Sequence, residues 1–148
     1  MTSFFPDLNV WLALSDGGHT HHSDAKAWFD QLPYDARLIF SRYTQIGLLR
    51  LRTNASVMGE RVHTLRNAWA VFDLWLEDPL VEFFPDPRTI EMAFRRVTEP
   101  FADQSASKWV GDCWLLAFAQ ATHSRLVTFD QALCDFAHKQ GHNAVRPG

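Results

Sequence analysis

Apolar residues along this chain alternate between two spacings. Short apolar runs at residues 3–5 and in RLIF, LVEFF and SRLVTF have the length and composition of strands. Longer segments place apolar residues three and four positions apart, as helices do. VWLALSD and HSDAKAWFDQL carry that step, the second with Ala25, Trp28, Phe29 and Leu32 on one face. TQIGLLRLR reads as an apolar helix that breaks over residues 53–56. The clearest amphipathic helix is LRNAWAVFDLWLED, with Ala68, Val71, Phe72, Trp75 and Leu76 as its stripe and Pro79 as its stop. RTIEMAFRRV, DCWLLAFAQATH and DQALCDFAHKQ are three more helices, residues 98–108 a polar loop, and NAVR a candidate last strand. Strands alternating with helices predict an α/β layer structure around a largely parallel sheet. No domain boundary or long repeat interrupts the pattern, so residues 1–148 are expected to form a single domain.

Composition narrows the picture. With 148 residues, 47% of them hydrophobic and 14% aromatic, the chain can bury a proper core, which argues against disorder. No apolar run is long enough for a membrane span, and the N-terminus lacks the pattern of a secretory signal, so the expected setting is the cytoplasm without membrane contact. Cys113 and Cys134 form no Cys-x-x-Cys pair and lie in apolar stretches, which predicts buried thiols. The net charge of −3 argues against gripping nucleic acid by bulk electrostatics. Any such contact must be local.

The tetrapeptide FFPD occurs twice, in FFPDLNVWLAL and in FFPDPRTIEMAF. In the first, Asp7 falls at the carboxyl end of the first strand. Asp130 follows LVTF at the end of another strand, and Asp112 opens a helix directly after Gly111. An open parallel sheet gathers its strand ends and the following helix starts on one edge, where ligands bind. Carboxylates crowded together raise one another's pKa, and a divalent cation is the usual remedy; all-oxygen ligands favour Mg²⁺ or Mn²⁺. Each aspartate also has a plainer role as a helix cap or first-turn acid. In the second FFPD, Asp86 before Pro87 reads as an N-cap with proline in the first helical position.

PDLNVWLAL, RYTQIGLLRL and VGDCWLLAFAQATHSRLVTFD, in that order and spacing and with a helical block between them, resemble PIN-domain nucleases. More closely, they are similar to the VapC-type toxins of bacterial toxin–antitoxin pairs. The resemblance spans nearly the whole chain. It implies a three-layer α/β/α fold with a central, mostly parallel sheet. It also implies a Mg²⁺- or Mn²⁺-dependent endoribonuclease that works as a homodimer and is held inactive by a cognate VapB-type antitoxin. Carried over residue by residue, the metal-binding and catalytic acids are Asp7, Asp112 and Asp130, with Asn9 and Thr128 as accessory polar groups beside them.

Two features depart from the family. Where many PIN domains place a glutamate after the second strand, this chain has Gln45, a neutral group able to orient water or accept a hydrogen bond. Asp103 or Glu99 in the nearby loop would be replacement charges. Pro6, just before Asp7, cannot donate a ladder hydrogen bond and is expected to end the first strand early.

The chemistry implied is hydrolysis of an RNA phosphodiester by metal-activated water, leaving a 5′-phosphate and a 3′-hydroxyl. Arg42, Arg50 and Arg52 are candidates for phosphate contact, Arg50 matching the family's Leu-Arg pattern; a solvated or structural role is the alternative. The Gln45 substitution motivates a second function, a catalytically weak PIN domain that binds RNA or a partner. A phosphoryl-accepting regulator is disfavoured, because such a protein needs paired acids before the acceptor and a late lysine. His19, His21 and His22 resemble a metal cluster but read better as a solvated helix entry. Trp28, Trp69 and Trp75 are expected in the core, with an apolar groove for a partner helix as the alternative.

Overall fold

The computed structural model describes residues 2–148. Its four strands are β1 (Ser3–Pro6), β2 (Arg37–Phe40), β3 (Val81–Phe83) and β4 (Arg125–Val127), all parallel, in the order β3-β2-β1-β4. Eight α-helices join them: α1 (Leu8–Ser15), α2 (His22–Asp30), α3 (Arg42–Arg52), α4 (Ala55–Met58), α5 (Leu65–Glu77), α6 (Ile90–Thr98), α7 (Val110–Ala121) and α8 (Gln131–Lys139).

The two-residue alternation of the strands divides the core into layers. Phe5, Ile39 and Leu126 pack on one face against Val97, Leu116, Phe118 and Leu133, from α6, α7 and α8. Their neighbours point the other way. Leu38 and Phe40 meet Trp11, Leu48 and Phe72, while Phe4 and Val127 meet Val10, Ala13 and Ala25. Both faces are covered, which is why RLIF reads as continuously apolar rather than alternating. Trp11 is fully buried and stacks on Phe40, with ring centroids 3.7 Å apart. Truncating either ring would cost about 3–5 kcal/mol.

Four expectations need correcting. Pro6 does not end β1 early: it pairs with Val127, whereas the β1–β2 pairing stops at Phe4, so its missing N–H faces a side where the ladder has already ended. Asp86 does not cap a helix, because α6 begins only at Ile90, with Thr89 in the cap position. Residues 98–108 are not loop throughout; they include 3₁₀ turns at Glu99–Phe101 and Ser107–Trp109. On α5 the buried stripe narrows to Ala68 and Phe72, and Leu76 is 39% exposed. NAVR contributes one parallel bridge, Val127 with Val145. Both cysteines are free and buried, as the pattern predicted.

Candidate active site

The carboxyl ends of β1 and β4 are adjacent, and a hydrogen-bond network ties their first following residues together. Asp7 leaves β1 in extended conformation and caps α1, its Oδ1 accepting the Leu8 N–H at 2.6 Å. Its Oδ2 accepts the Thr128 hydroxyl at 2.8 Å. Thr128 is completely buried, and its oxygen also receives the Asp130 N–H at 3.1 Å and the Asn9 Nδ2 at 3.4 Å. Asn9 in turn accepts the Phe129 N–H through Oδ1 at 3.3 Å. Thus Thr128 and Asn9 fix the orientation of Asp7 and lock two strand ends far apart in sequence. Asp130 is exposed and caps α8 by accepting the Leu133 N–H at 3.2 Å. Capping and membership in an acidic cluster are therefore compatible, since one carboxylate oxygen serves the helix and the other is left over.

Asp112 sits in the first turn of α7, half-buried, and among the described residues makes no hydrogen bond or ion pair. Its pKa is raised to about 6, first by burial and then by the charges of Asp7 and Asp130. Burial also raises Asp7; its bonds to Thr128 and Leu8 oppose the shift, and the Asp130 charge adds to it. The three carboxylates thus share one electrostatic neighbourhood, and among the described residues no cation figures among the charges acting on Asp7 or Asp112. They are not packed into a ready-made cage: among the described residues no three His, Cys, Asp or Glu side chains stand close enough to hold an ion directly.

Sequence reading missed Tyr43. Its ring stacks on Trp114, with centroids 5.1 Å apart, and its phenol lies within reach of the charges on Asp7 and Asp112. Burial and these two carboxylates push the phenol above its ordinary value. Gly111 makes the approach possible, because a Cβ there would lie 2.5 Å from the Tyr43 hydroxyl. The only trace in the sequence is that glycine immediately before Asp112.

Gln45 is buried, and its Oε1 accepts Arg42 Nη1 at 2.5 Å. Arg42 also lies over the Phe83 ring, 4.6 Å from its centroid. The amide oxygen of Gln45 is therefore engaged by a cation. Arg50 is exposed on α3 beside a cleft of about 240 Å³ lined by Leu8, Tyr43, Ile46 and Gly47. Arg52 is not available to phosphate: it is 4% exposed, 3.9 Å from the buried Asp16, with Nη2 against the His63 ring. Asp103 and Glu99 are exposed and do not figure among the charges acting on Asp7 or Asp112. Among the described residues the three histidines form no group that could hold a metal ion. His21 stacks on Phe129, His22 Nδ1 lies 2.7 Å from the Ala13 carbonyl, and His19 Nδ1 accepts the His21 N–H. Trp28 and Trp75 pack against the core, while Trp69 is 42% exposed.

The family model for the PIN domain matches residues 4–139. The chain belongs to the PIN-domain family. Its relatives there are VapC proteins. Ribonuclease VapC41 of Mycobacterium tuberculosis is 36% identical over 134 residues, which cover 88% of this chain and 90% of the relative. Ribonuclease VapC39 of the same organism is 32% identical over 142 residues, covering 88% and 91%. Among solved structures, the M. tuberculosis toxin VapC20, described as cleaving the sarcin–ricin loop, superposes with a TM-score of 0.66 at 19% identity over 97% of this chain and 99% of that one. VapBC2 of Rickettsia felis, solved with a promoter DNA fragment, gives 0.64 at 13% identity over 98% and 97%. At such identities these two structures bear on the fold alone. Among the described residues no helix is long and apolar enough to cross a membrane.

Proposed function

We propose that this protein is a Mg²⁺- or Mn²⁺-dependent endoribonuclease toxin, restrained by a cognate VapB-type antitoxin and active as a homodimer. The observation that carries this reading is Asp112, which has no hydrogen-bond or ion-pair partner among the described residues and whose pKa is raised to about 6 by burial and by the charges of Asp7 and Asp130. Like charges so placed cost the fold free energy unless something positive joins them. The VapC relatives, named as ribonucleases, supply the substrate class.

Asp7, Asp112 and Asp130 would hold the ion, partly through water. When bound, it supplies a water of lowered pKa and neutralises charge on phosphoryl oxygens. The chain's own residues do the rest. Thr128 holds Asp7 in one rotamer through the 2.8 Å bond, and Asn9 holds Thr128. The N-termini of α1, α7 and α8, which carry Asp7, Asp112 and Asp130, add positive dipole ends that favour an incoming phosphate. Arg42, presented by Gln45 and Phe83, is a candidate partner for the RNA backbone.

The test is cleavage of a mixed RNA pool by partner-free protein in EDTA, Mg²⁺ or Mn²⁺, beside Asp7→Asn and Asp130→Asn. Cleavage that persists in chelator or in both variants would end the proposal. The same contact between Arg42 and Gln45 favours a second reading, a PIN domain that binds RNA or a partner but cuts poorly. That reading predicts negligible cleavage even in excess Mn²⁺.

A further inference from the structure

Beside the acidic edge, α3 presents Tyr43, Ile46, Gly47 and Arg50 at i, i+3, i+4 and i+7, all on one face. With Leu8, the residue after Asp7, they line the 240 Å³ cleft. Tyr43 and Arg50 lie about 10 Å apart along the helix axis, seven residues at 1.5 Å each. Gly47 leaves the floor open to the Leu8 side chain, since a Cβ there would lie 2.3 Å from Leu8 Cδ1. Ile46 is 48% exposed and supplies an apolar wall. At the end nearest the carboxylates stands the Tyr43 hydroxyl, which has no hydrogen-bond partner among the described residues. Arg50, at the other end, has no ion-pair partner among them either.

An unpartnered O–H donor and an unpaired guanidinium, separated by an apolar recess, match the pattern of one nucleotide flanked by phosphates. We propose that this cleft seats the nucleotide next to the scissile bond, the Tyr43 hydroxyl donating to a phosphate oxygen of the RNA and Arg50 meeting the following phosphate. This rests on the ribonuclease reading and adds a positioning residue to it. Trp114 holds the Tyr43 ring against α7, and Gly111 leaves room for its hydroxyl. A tyrosine hydroxyl is protonated, and so can donate, at neutral pH.

Tyr43→Phe isolates the hydroxyl, because the ring and its stack on Trp114 remain. A hydrogen bond to a charged oxygen corresponds to roughly a tenfold to hundredfold effect. The expected result is a loss of that size in kcat/KM on a mixed-sequence single-stranded 20-mer RNA, with Tm and the Mn²⁺ midpoint in the absence of RNA unchanged. In an Asp7→Asn background, which blocks cleavage, anisotropy should show weaker 20-mer binding for both Tyr43→Phe and Arg50→Ala. Only Arg50→Ala should reduce the salt slope, by about one.

Gly111→Ala provides an independent check. Its Cβ would meet the hydroxyl at 2.5 Å but the ring carbon beneath it at 3.6 Å, an ordinary contact. It should therefore reproduce the loss in the otherwise native chain and add nothing once the hydroxyl is gone. Equal cost in both backgrounds overturns the proposal. So does wild-type binding and cleavage by Tyr43→Phe, which would leave the ribonuclease reading intact and assign the cleft to another partner such as a peptide. If the native chain binds the 20-mer without cutting it and Tyr43→Phe weakens that binding, the subsite stands and the nuclease reading falls. Absence of both binding and cleavage removes the two together.

Discussion

Replacing Asp112 by asparagine should stabilise the metal-free protein at neutral pH. In the unfolded chain this carboxyl ionises near its ordinary value of 3.8, and in the folded chain near about 6. Between those values the native state holds a proton that the unfolded state has released. Stability therefore falls as pH rises through that window, and above it the ionised carboxylate carries a constant penalty. Two pKa units correspond to about 3 kcal/mol, but Asp112 is only half-buried and water screens part of the repulsion, which reduces the figure to about 1–2 kcal/mol. Asparagine keeps the shape and loses the charge. It also forfeits the attraction of an acid for the N-terminus of α7, worth about 0.3–1 kcal/mol. Repulsion from Asp7 and Asp130 together with burial outweighs that attraction, so the net change remains a gain of about 1 kcal/mol.

The assay is urea unfolding followed by tryptophan fluorescence, at low ionic strength in EDTA, at pH 7.5 and pH 4. At pH 7.5 the variant should gain about 1 kcal/mol, or about 2–4 °C in Tm for a domain of this size. At pH 4 the gain should have largely vanished, because the native carboxyl is then protonated. Adding Mn²⁺ at pH 7.5 should reverse the order by stabilising the native protein more. A variant that is less stable at pH 7.5, or equally advantaged at both pH values, would refute the claim that Asp112 is an uncompensated charge.

Other substitutions examine neighbouring parts of the structure. Thr128→Val should cost about 1–3 kcal/mol, since it strands Asp7 Oδ2 and the Asp130 N–H while keeping the volume, and Thr128→Ser should recover most of it in thermal melts. Asp16→Ala removes the carboxylate nearest the buried Arg52 and should destabilise by about 3 kcal/mol, measured by chemical denaturation. Gln45→Glu should pair with Arg42 and leave Mn²⁺ affinity unchanged in calorimetric titration; a large rise would mean that this side chain reaches the ion after all.

Periodicity alone located every strand and seven of the eight helices, because each layer of this fold buries a face and burial leaves a spacing. The short helix Ala55–Met58 fell within what read as a break, being too brief to show a period. The edge where the acids meet was legible for a topological reason: parallel strands followed by helices leave no other place for Asp7 and Asp130. The failures are equally physical. Asp86–Pro87 has the composition of a helix start, yet an intervening turn delays α6 to Ile90. Arg52 looks like its exposed neighbour Arg50, and only the position of Asp16 at the end of α1 shows that it is buried. Tyr43 went unnoticed because its relation to Asp112 runs through Trp114 and Gly111, in an element distant along the chain.

The charge pattern at this edge also links metal and substrate. Three carboxylates repel a phosphate chain, and among the described residues no guanidinium is among the charges that act on Asp7 or Asp112. Without a divalent ion, RNA would meet like charge at the very point where the helix N-termini would otherwise attract it. Cation and RNA should accordingly bind with positive coupling, and reciprocity requires each to raise the other's affinity by the same factor. A coupling of about 1–3 kcal/mol is the usual range, which corresponds to roughly 5- to 150-fold. Titrating labelled RNA into Asp7→Asn, which retains two of the acids, should show a smaller factor than the native chain measured before cleavage begins. Equal factors would mean that Asp7 does not take part in the charge balance, and the shared neighbourhood of the three acids would then have no bearing on how substrate is held.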